Sequence, residues 1–287
     1  MITVLWAASG ASAREVTDQT GRRITIPDHP QRIISLAPSI TETLYALGLG
    51  DRLVGDTDYC DYPTEARAKP HVGAMLNPNL ERIVALRPDL VLGTDEANRR
   101  ESIDQLARLG IPLYGVTARN VDATIRSLED LGRVLGSEQS AKALAARLRV
   151  RVEAVTRRVE GQRPPKVLFV VWYRPLITAG SQTFIADVIH RAGGDSISND
   201  MTGEWPHMGL EVVLKRDPDI ILFPKTEAFA PGFDEFERLP GWKELAAVKH
   251  HRMYFIAETI MRPSPRLIDA LEELTDILHP QPKPAAQ

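Results

Sequence analysis

The sequence LERIVALRPDLVL at residues 80–92 recurs as LEVVLKRDPDIIL at residues 210–222, and the two stretches align without a gap. Each copy is typical of a short helix, a Pro-Asp turn and a buried strand, a unit that is common in α/β proteins. One copy alone would say little about the fold. Two copies, one on each side of a long helical stretch, predict two related lobes. The repeat also places Glu81 and Glu211 at equivalent positions, one in each lobe.

Short apolar runs alternate with helical stretches from residue 32 onward, which predicts βα units. A helix is expected to begin near Pro38, with Ser39 and Glu42 as a capping box, and to end at Gly48 and Gly50. We therefore predict an α/β protein with two Rossmann-like lobes and mainly parallel sheets. The predicted strands are Arg32–Leu36, Leu53–Gly55, Leu90–Leu92, Leu113–Val116, Lys166–Trp172, Ile220–Phe223 and Arg252–Ile256.

Apolar residues spaced three and four apart predict one long helix over residues 139–160. Its other face is rich in arginine, which we interpret as a solvated surface and not as a nucleic-acid or membrane site. The predicted organisation is an N-terminal lobe at residues 30–138, this linking helix, a C-terminal lobe at residues 165–279 and a disordered tail at residues 280–287.

The amino terminus has the pattern of a signal peptide. The apolar run Ile2–Ala8 is followed by Ala11-Ser12-Ala13, which resembles a cleavage site, so residues 1–13 are assigned to the signal peptide. A buried first strand is the alternative, but a polar turn follows at residues 18–22. Because no positively charged segment precedes the apolar run, we expect the full signal peptide to be longer. We therefore expect an exported, periplasmic protein.

Composition and motifs give no sign of an enzyme. The 287 residues have a formal net charge of −3, which does not favour nucleic-acid binding. The sequence lacks a P-loop, an H-E-x-x-H helix and a G-x-S-x-G elbow. The single cysteine, Cys60, cannot form an intramolecular disulfide or a cysteine-based metal site, and we interpret it as a packed thiol. We expect no catalytic residues, no metal site and no cofactor of the protein's own.

A further set of motifs runs through the chain from about Val16 to Leu278. Together they resemble the periplasmic binding proteins for cobalamin, haem and iron-siderophores, also called helical backbone metal receptors, in which one rigid helix joins two lobes. Within this class the motifs look most similar to the cobalamin-binding branch. They are TDQTGR at 17–22, PQRIISLAPS at 30–39, YCDYP at 59–63, NLERIVALRPDLV at 79–91, Trp205-Pro206 and RPSPR at 262–266.

The resemblance implies a set of ligand-binding residues. In the cobalamin-binding branch a tyrosine of the first pocket motif touches the ligand, which here is Tyr59, and a pocket tryptophan before proline corresponds to Trp205. Met75 stands where that branch has another pocket tryptophan. A contact loop before the Ser-Pro-Arg motif keeps its acid but lacks the aromatics. It consists here of Glu258, Thr259, Ile260, Met261 and Arg262.

Physical reasoning adds two residues to this set. A corrin or porphyrin is a broad apolar disc with polar edges, so its site calls for aromatic and Met side chains with a few polar groups. Trp172 and Tyr173 end the first strand of the second lobe, and open α/β sheets bind ligands at the carboxyl ends of their strands. Packing in the core is the alternative for Trp172.

The resemblance also implies a partner. Two glutamates dock proteins of this class onto arginines of the permease, and they match Glu81 and Glu211. We therefore expect a monomer that delivers a cobalamin-like ligand, or a related metal-containing tetrapyrrole, to a dimeric, membrane-embedded ABC permease.

Three alternatives stay open from the residues. The ligand could be haem, with Tyr59, Tyr173 or His207 as an axial donor. It could be an iron-siderophore, with Arg174 and Arg262 as cationic contacts. An intracellular α/β enzyme or cofactor chaperone with the same paired-lobe fold is a third reading. The signal peptide and the lack of a catalytic constellation argue against it.

Overall fold

The computed structural model describes residues 12–95, 98, 100–226 and 232–280. The described chain forms two compact units. The first comprises the residues up to Thr117 together with Asp130–Ala141, and the second comprises Ala118–Glu129 together with the residues from Lys142 onward. Most of the predicted signal peptide, residues 1–11, and the predicted tail from residue 281 onward lie outside the described residues.

The first unit is built on a parallel sheet. An antiparallel hairpin of β1 (Ala13–Thr17) and β2 (Arg23–Pro27) precedes this sheet. The sheet has the order β4-β3-β5-β6 and all of its neighbouring strands are parallel. Its elements are β3 (Ile33–Ser35), α1 (Pro38–Ala46), β4 (Leu53–Gly55), α2 (Leu80–Ala85), β5 (Leu90–Thr94), α3 (Arg100–Arg108) and β6 (Leu113–Val116).

Two helices contribute residues to both units. They are α4 (Val121–Val134) and α5 (Glu138–Val159), and α5 matches the predicted linking helix to within one residue at each end. Arg149 and Arg151 of α5 donate to carboxylates, the first to Glu129 and the second to Asp269 and Glu272. The basic face of α5 is therefore partly ion-paired with neighbouring acidic residues. The sequence alone predicts only that this face is solvated. Within the described residues, no helix combines the length and apolar composition needed to cross a membrane.

The second unit repeats the parallel plan with additions. Its sheet has the order β11-β10-β7-β8, in which β8 is antiparallel to β7 and a short strand, β9, also pairs with β7. Phe236 lies in its core, with ring centroids 4.9 Å from Phe223 and 4.8 Å from Trp242. The elements are β7 (Lys166–Tyr173), β8 (Leu176–Thr178), α6 (Phe184–Arg191), β9 (Asp195–Ser196), α7 (Leu210–Arg216), β10 (Ile220–Lys225), α8 (Phe233–Arg238), α9 (Ala246–Lys249), β11 (Met253–Ala257) and α10 (Leu267–Leu278).

The repeat in the sequence is also a repeat in structure. The carboxylate of Asp89 accepts hydrogen bonds from the backbone N–H groups of Gln31 and Arg32, and the carboxylate of Asp219 accepts one from the N–H of Lys166. In both units the aspartate of the Pro-Asp turn thus fixes the start of the neighbouring strand. The turns also share a left-handed residue at the same repeat position, Arg87 with φ 45° and Asp217 with φ 41°.

Two local expectations differ from the structure. The capping box at Ser39 and Glu42 is wrong, because α1 already begins at Pro38 with Ala37 as its N-cap and no side-chain cap. Proline suits the first helical turn, where its missing N–H leaves no bond unmade, so Ser39 lies inside the helix. The second difference is that residues 118–129, assigned from the sequence to the N-terminal lobe, pack with the second unit.

Candidate functional site

The segment after β4, residues 56–73, is here called the tyrosine loop because it carries Tyr59 and Tyr62. These two side chains are 54% and 46% exposed, which is unusual for large aromatic residues. The loop is closed at its base, since the N–H of Asp56 donates to the carbonyl of Pro70 and the N–H of Val72 donates to the carbonyl of Asp56. It starts at the carboxyl end of a parallel strand, where α/β sheets bind their ligands.

The interior of the tyrosine loop is held by a buried thiol. The sulfur of Cys60 lies 3.2 Å from the hydroxyl oxygens of both Thr41 and Thr57. Burial raises the pKa of the Cys60 thiol, which disfavours the reactive thiolate. Cys60 is therefore a packed thiol, and its hydrogen bonds connect the tyrosine loop to α1.

A buried ion-pairing group lies at the base of the same loop. The Oδ1 atom of Asp56 is 2.7 Å from Nδ1 of His71, and the Asp56 side chain is fully buried. Its other oxygen, Oδ2, has no hydrogen-bond partner. Burial raises the pKa of Asp56 to about 6, although the hydrogen bond and charge of His71 and the charge of Lys69 oppose this, while Asp58 adds to it. This carboxyl group therefore changes its charge near pH 6.

The backbone at Met75 is held by Asn98, a residue that was not predicted to belong to the site. The carbonyl oxygen of Met75 accepts a hydrogen bond of 2.8 Å from Nδ2 of Asn98, which also donates to the carbonyl of Leu36 at 3.3 Å. The Oδ1 atom of Asn98 accepts from the N–H of Thr94. Asn98, itself buried, thus connects Met75 to the carboxyl ends of β3 and β5. Leu76, next to Met75, is exposed.

In the second unit, β7 ends in the predicted pair of aromatic residues. Trp172 is 40% exposed, and its Nε1 donates to the carbonyl of Arg174. Tyr173 instead packs on the core, with its ring centroid 5.6 Å from that of Phe236. The guanidinium of Arg174 lies 5.3 Å from the centre of the Tyr173 ring and pairs with Glu235. Trp172 is therefore the accessible member of the pair, and Tyr173 is partly covered.

Trp205 lies on a loop that pairs with β8. The N–H of Thr178 donates to the carbonyl of Pro206, and the N–H of Gly180 donates to the carbonyl of Glu204. A side chain at Gly180 would place its Cβ 2.0 Å from the carbonyl oxygen of Gly203, so only glycine permits this close approach. Backbone bonds on both sides of Trp205 thus hold it, while its side chain stays 39% exposed.

Strand pairing connects the segments that carry Trp172 and Trp205. Trp172 pairs with Ile177, and Ile177 pairs on its other side with His207. Trp205 precedes His207 by two residues, so β8 lies between the end of β7 that carries Trp172 and the loop that carries Trp205.

The predicted contact loop follows β11 as a 3₁₀ helix, Glu258–Met261. Thr259 and Ile260 are buried, so their side chains belong to the interior of the unit. Glu258 and Arg262 form an ion pair of 3.0 Å, and Met261 is half-buried. Of the five residues assigned to this loop, Glu258, Met261 and Arg262 can thus present atoms to a ligand.

Some residues of the candidate site were not predicted from the sequence. Tyr62 shares the quoted motif of Tyr59, and Leu76 directly follows Met75; the exposure of both side chains marks them as further candidates. Their proximity in sequence to the assigned residues could have indicated them. Asn98 and Gly180 act through long-range backbone bonds, and no local pattern in the sequence indicates such bonds.

Comparison with known proteins identifies the family of the chain. The profile of the family described as periplasmic binding protein matches residues 33–259. The chain belongs to this family. Its members are substrate-binding proteins that work with ABC transporter permeases, and this chain is therefore a periplasmic binding protein of the ABC importer class.

Individual relatives differ in what their names say they bind. The chain is 32% identical to the uncharacterized ABC transporter substrate-binding lipoprotein YvrC of Bacillus subtilis, over 92% of this chain and 85% of the relative. It is 31% identical to a vitamin B12-binding protein of Yersinia pestis, over 92% of each chain. The solved structure of the periplasmic haem-binding protein RhuT from Roseiflexus sp. RS-1 matches with a TM-score of 0.79 and 28% identity, over 87% of this chain and 98% of that one.

The titration of Asp56 predicts a pH dependence of stability. Its pKa is about 6 in the folded protein against an ordinary value of 3.8, so the folded state binds the proton more tightly. The resulting stabilisation is complete below pH 3.8 and is lost as the pH rises through about 6. Between pH 4 and pH 7 the free energy of unfolding should therefore fall by about 2 kcal/mol relative to that of Asp56→Asn.

Urea unfolding of both proteins at several pH values measures this difference. The other titrating groups are common to both proteins, so their contributions to the pH dependence of unfolding largely cancel in the difference. A difference that stays constant with pH would contradict the prediction. A difference of opposite sign would show that Asp56 is ionised throughout, as the partner of a protonated His71.

Proposed function

We propose that the protein is exported, has no enzymatic activity and delivers a corrinoid such as cobalamin to an ABC importer. The distribution of exposed apolar side chains supports this most directly. Nine large apolar side chains are exposed among the described residues, and five of them lie in the segments assigned to ligand contact. These five are Tyr59, Tyr62, Leu76, Trp172 and Trp205.

The chemistry of these residues suits a flat, mostly apolar ligand. Aromatic rings on rigid loops offer large contact areas and lose little entropy when the ligand binds. Trp172 and Trp205 are both exposed and lie on segments that pair with β8, and Glu258 and Arg262 supply polar groups of both charges. A corrin ring has an apolar face and an edge of amide and other polar groups, so it needs both kinds of contact. We assign ligand contact to Tyr59, Met75, Trp172, Trp205, Glu258, Met261 and Arg262, with Tyr173 at the margin.

Calorimetric titration tests this ligand assignment. The purified mature protein should bind cyanocobalamin or cobinamide without added metal or nucleotide. The same protein is titrated with haemin and with a ferric siderophore. Heat with haemin and none with either corrinoid would overturn the corrinoid assignment and favour haem, for which Tyr59 and His207 are exposed candidates for the axial ligand.

Two tryptophans allow a matched test of the contact residues. Trp205 is 39% exposed, whereas Trp242 is only 6% exposed and packs edge-on against Phe236. Trp205→Ala should weaken corrinoid binding by about 5- to 150-fold, because a stacking surface worth about 1–3 kcal/mol is lost. It should leave the free energy of unfolding nearly unchanged.

Trp242→Ala should do the reverse, lowering the free energy of unfolding by about 3–5 kcal/mol with little effect on the affinity of the protein that remains folded. Calorimetry and urea unfolding measure the two quantities. Equal small effects of both substitutions on affinity would remove Trp205 from the site.

We further propose that Glu81 and Glu211 dock the protein onto the permease. Both side chains are exposed in the first turns of α2 and α7, which are equivalent helices of the repeat. One turn further along, Val84 and Leu214 are two more of the nine exposed apolar side chains. Each unit thus presents a carboxylate beside an apolar group, which fits a dimeric partner with two similar basic surfaces. Stabilisation by the helix dipole alone would not require matched positions.

Charge reversal tests the docking proposal. Glu81→Lys combined with Glu211→Lys should leave corrinoid affinity and the melting temperature nearly unchanged, because both side chains are exposed. Uptake into vesicles containing the cognate permease should fall at least about tenfold, since like charges that face each other across an interface cost several kcal/mol.

The matched control is Glu101→Lys combined with Asp234→Lys. These are exposed acidic residues in the first turns of α3 and α8, outside the repeat, one in each unit. The control should transport normally. Normal uptake by the Glu81/Glu211 variant, or an equal loss in the control, would refute the docking role.

A further inference from the structure

We propose that Asp56 and His71 form a latch that positions Tyr59 and Tyr62 for ligand contact without touching the ligand. This inference rests on the proposed function for its ligand, and on the geometry of the tyrosine loop for everything else. The latch is defined as the hydrogen bond of 2.7 Å between Oδ1 of Asp56 and Nδ1 of His71.

The latch lies where the two ends of the tyrosine loop meet. Asp56 and His71 face each other in a parallel bridge, and backbone bonds of Asp56 with Pro70 and Val72 flank them. The N–H of Asp58 donates to the carbonyl of Gly73. The loop between these ends contains one short 3₁₀ helix, Thr64–Ala68, and both exposed tyrosines. Its ends therefore determine where the tyrosines lie.

The chemistry of the pair indicates positioning and not general stabilisation. An ionised carboxylate can only accept, so with Asp56 ionised this hydrogen bond is donated by a His71 ring whose Nδ1 is protonated. The other oxygen of Asp56 is buried without a partner, which makes the pair a poor source of stability compared with two apolar residues. What the pair supplies is direction, since its short side-chain hydrogen bond adds to the backbone bonds that align the two chain segments.

The charged groups around the pair are of both signs. Lys69 and Asp58 lie on the loop itself, and Lys69 donates through Nζ to the carbonyl of Gly50. The charge of the Asp56 carboxylate adds to burial in raising the pKa values of Tyr45 and Cys60. The Tyr45 hydroxyl is itself buried without a hydrogen-bond partner. None of these groups replaces His71 as the hydrogen-bond donor to Asp56.

Hydrogen exchange tests the latch without a ligand. His71→Ala removes the donor, so the protected amides of the loop, those of Cys60, Ala66 and Lys69, should exchange about tenfold faster, while amides of the second unit keep their rates. His71→Asn returns an N–H near the place of Nδ1 and should restore most of the protection. His71→Phe keeps the ring without the donor and replaces the alanine variant should that variant fail to fold.

A double-mutant cycle tests how the latch acts on binding. His71→Ala should weaken binding of cyanocobalamin by about five- to tenfold, because the tyrosines are no longer held in the bound arrangement. The same substitution should have almost no effect in a protein that already carries Tyr59→Ala and Tyr62→Ala. A merely structural effect of His71 would be equally large in both backgrounds.

Two results would overturn the latch. One is unchanged exchange of the loop amides in both His71→Ala and His71→Phe. The other is an undiminished loss of affinity in the background without the tyrosines. If the unsubstituted protein binds haemin instead of cyanocobalamin, the cycle is measured with haemin. If it binds neither, the ligand proposal fails, and the exchange rates alone decide for or against the latch.

Discussion

Parallel strand pairing is the constraint on which the rest of each unit depends. It brings the carboxyl ends of neighbouring strands to the same edge of a sheet, so every segment that follows a strand starts there. The tyrosine loop follows β4, Trp172 and Tyr173 end β7, and the segment Glu258–Arg262 follows β11. The Pro-Asp turns with Asp89 and Asp219 fix the opposite edge by binding the backbone where β3 and β7 begin. One edge is thus anchored by carboxylates, and the other carries the side chains that are proposed to bind the ligand.

Backbone and buried polar bonds then make the binding edge rigid. Asn98 connects the Met75 segment with two strand ends, and Gly180 allows the Trp205 loop to pair closely with β8. The Cys60 thiol connects the tyrosine loop to α1 through its hydrogen bonds with Thr41 and Thr57. A rigid loop loses little entropy when an aromatic side chain on it meets a ligand, so in the proposed function these polar bonds contribute to affinity from beneath the proposed contact surface.

Much of this architecture could be predicted from the sequence because it depends on local pattern. Apolar runs located most strands, β4 and β6 to the residue, and the spacing of apolar residues located α5. What failed depends on tertiary contact. No local rule shows that residues 118–129 pack with the second unit or that Ile260 is buried. The hairpin of β1 and β2 also went unpredicted, since only its polar turn has a clear signature.

The position of His71 connects the two proposed functional surfaces of the first unit. Its carbonyl accepts a hydrogen bond from the guanidinium of Arg82 in α2, and the carbonyl of Val72 accepts one from the N–H of Asn79. Asn79 is in turn the N-cap of α2, where its side chain accepts from the N–H of Arg82.

The base of the tyrosine loop and the first turn of the helix that carries Glu81 are therefore parts of one hydrogen-bond network. His71 takes part in bonds of both segments, whereas none of these bonds involves the side chain of Tyr59. Transport lost on substitution of His71 would thus combine two effects, and only the affinity measured without the permease separates the contribution of the loop from that of the helix.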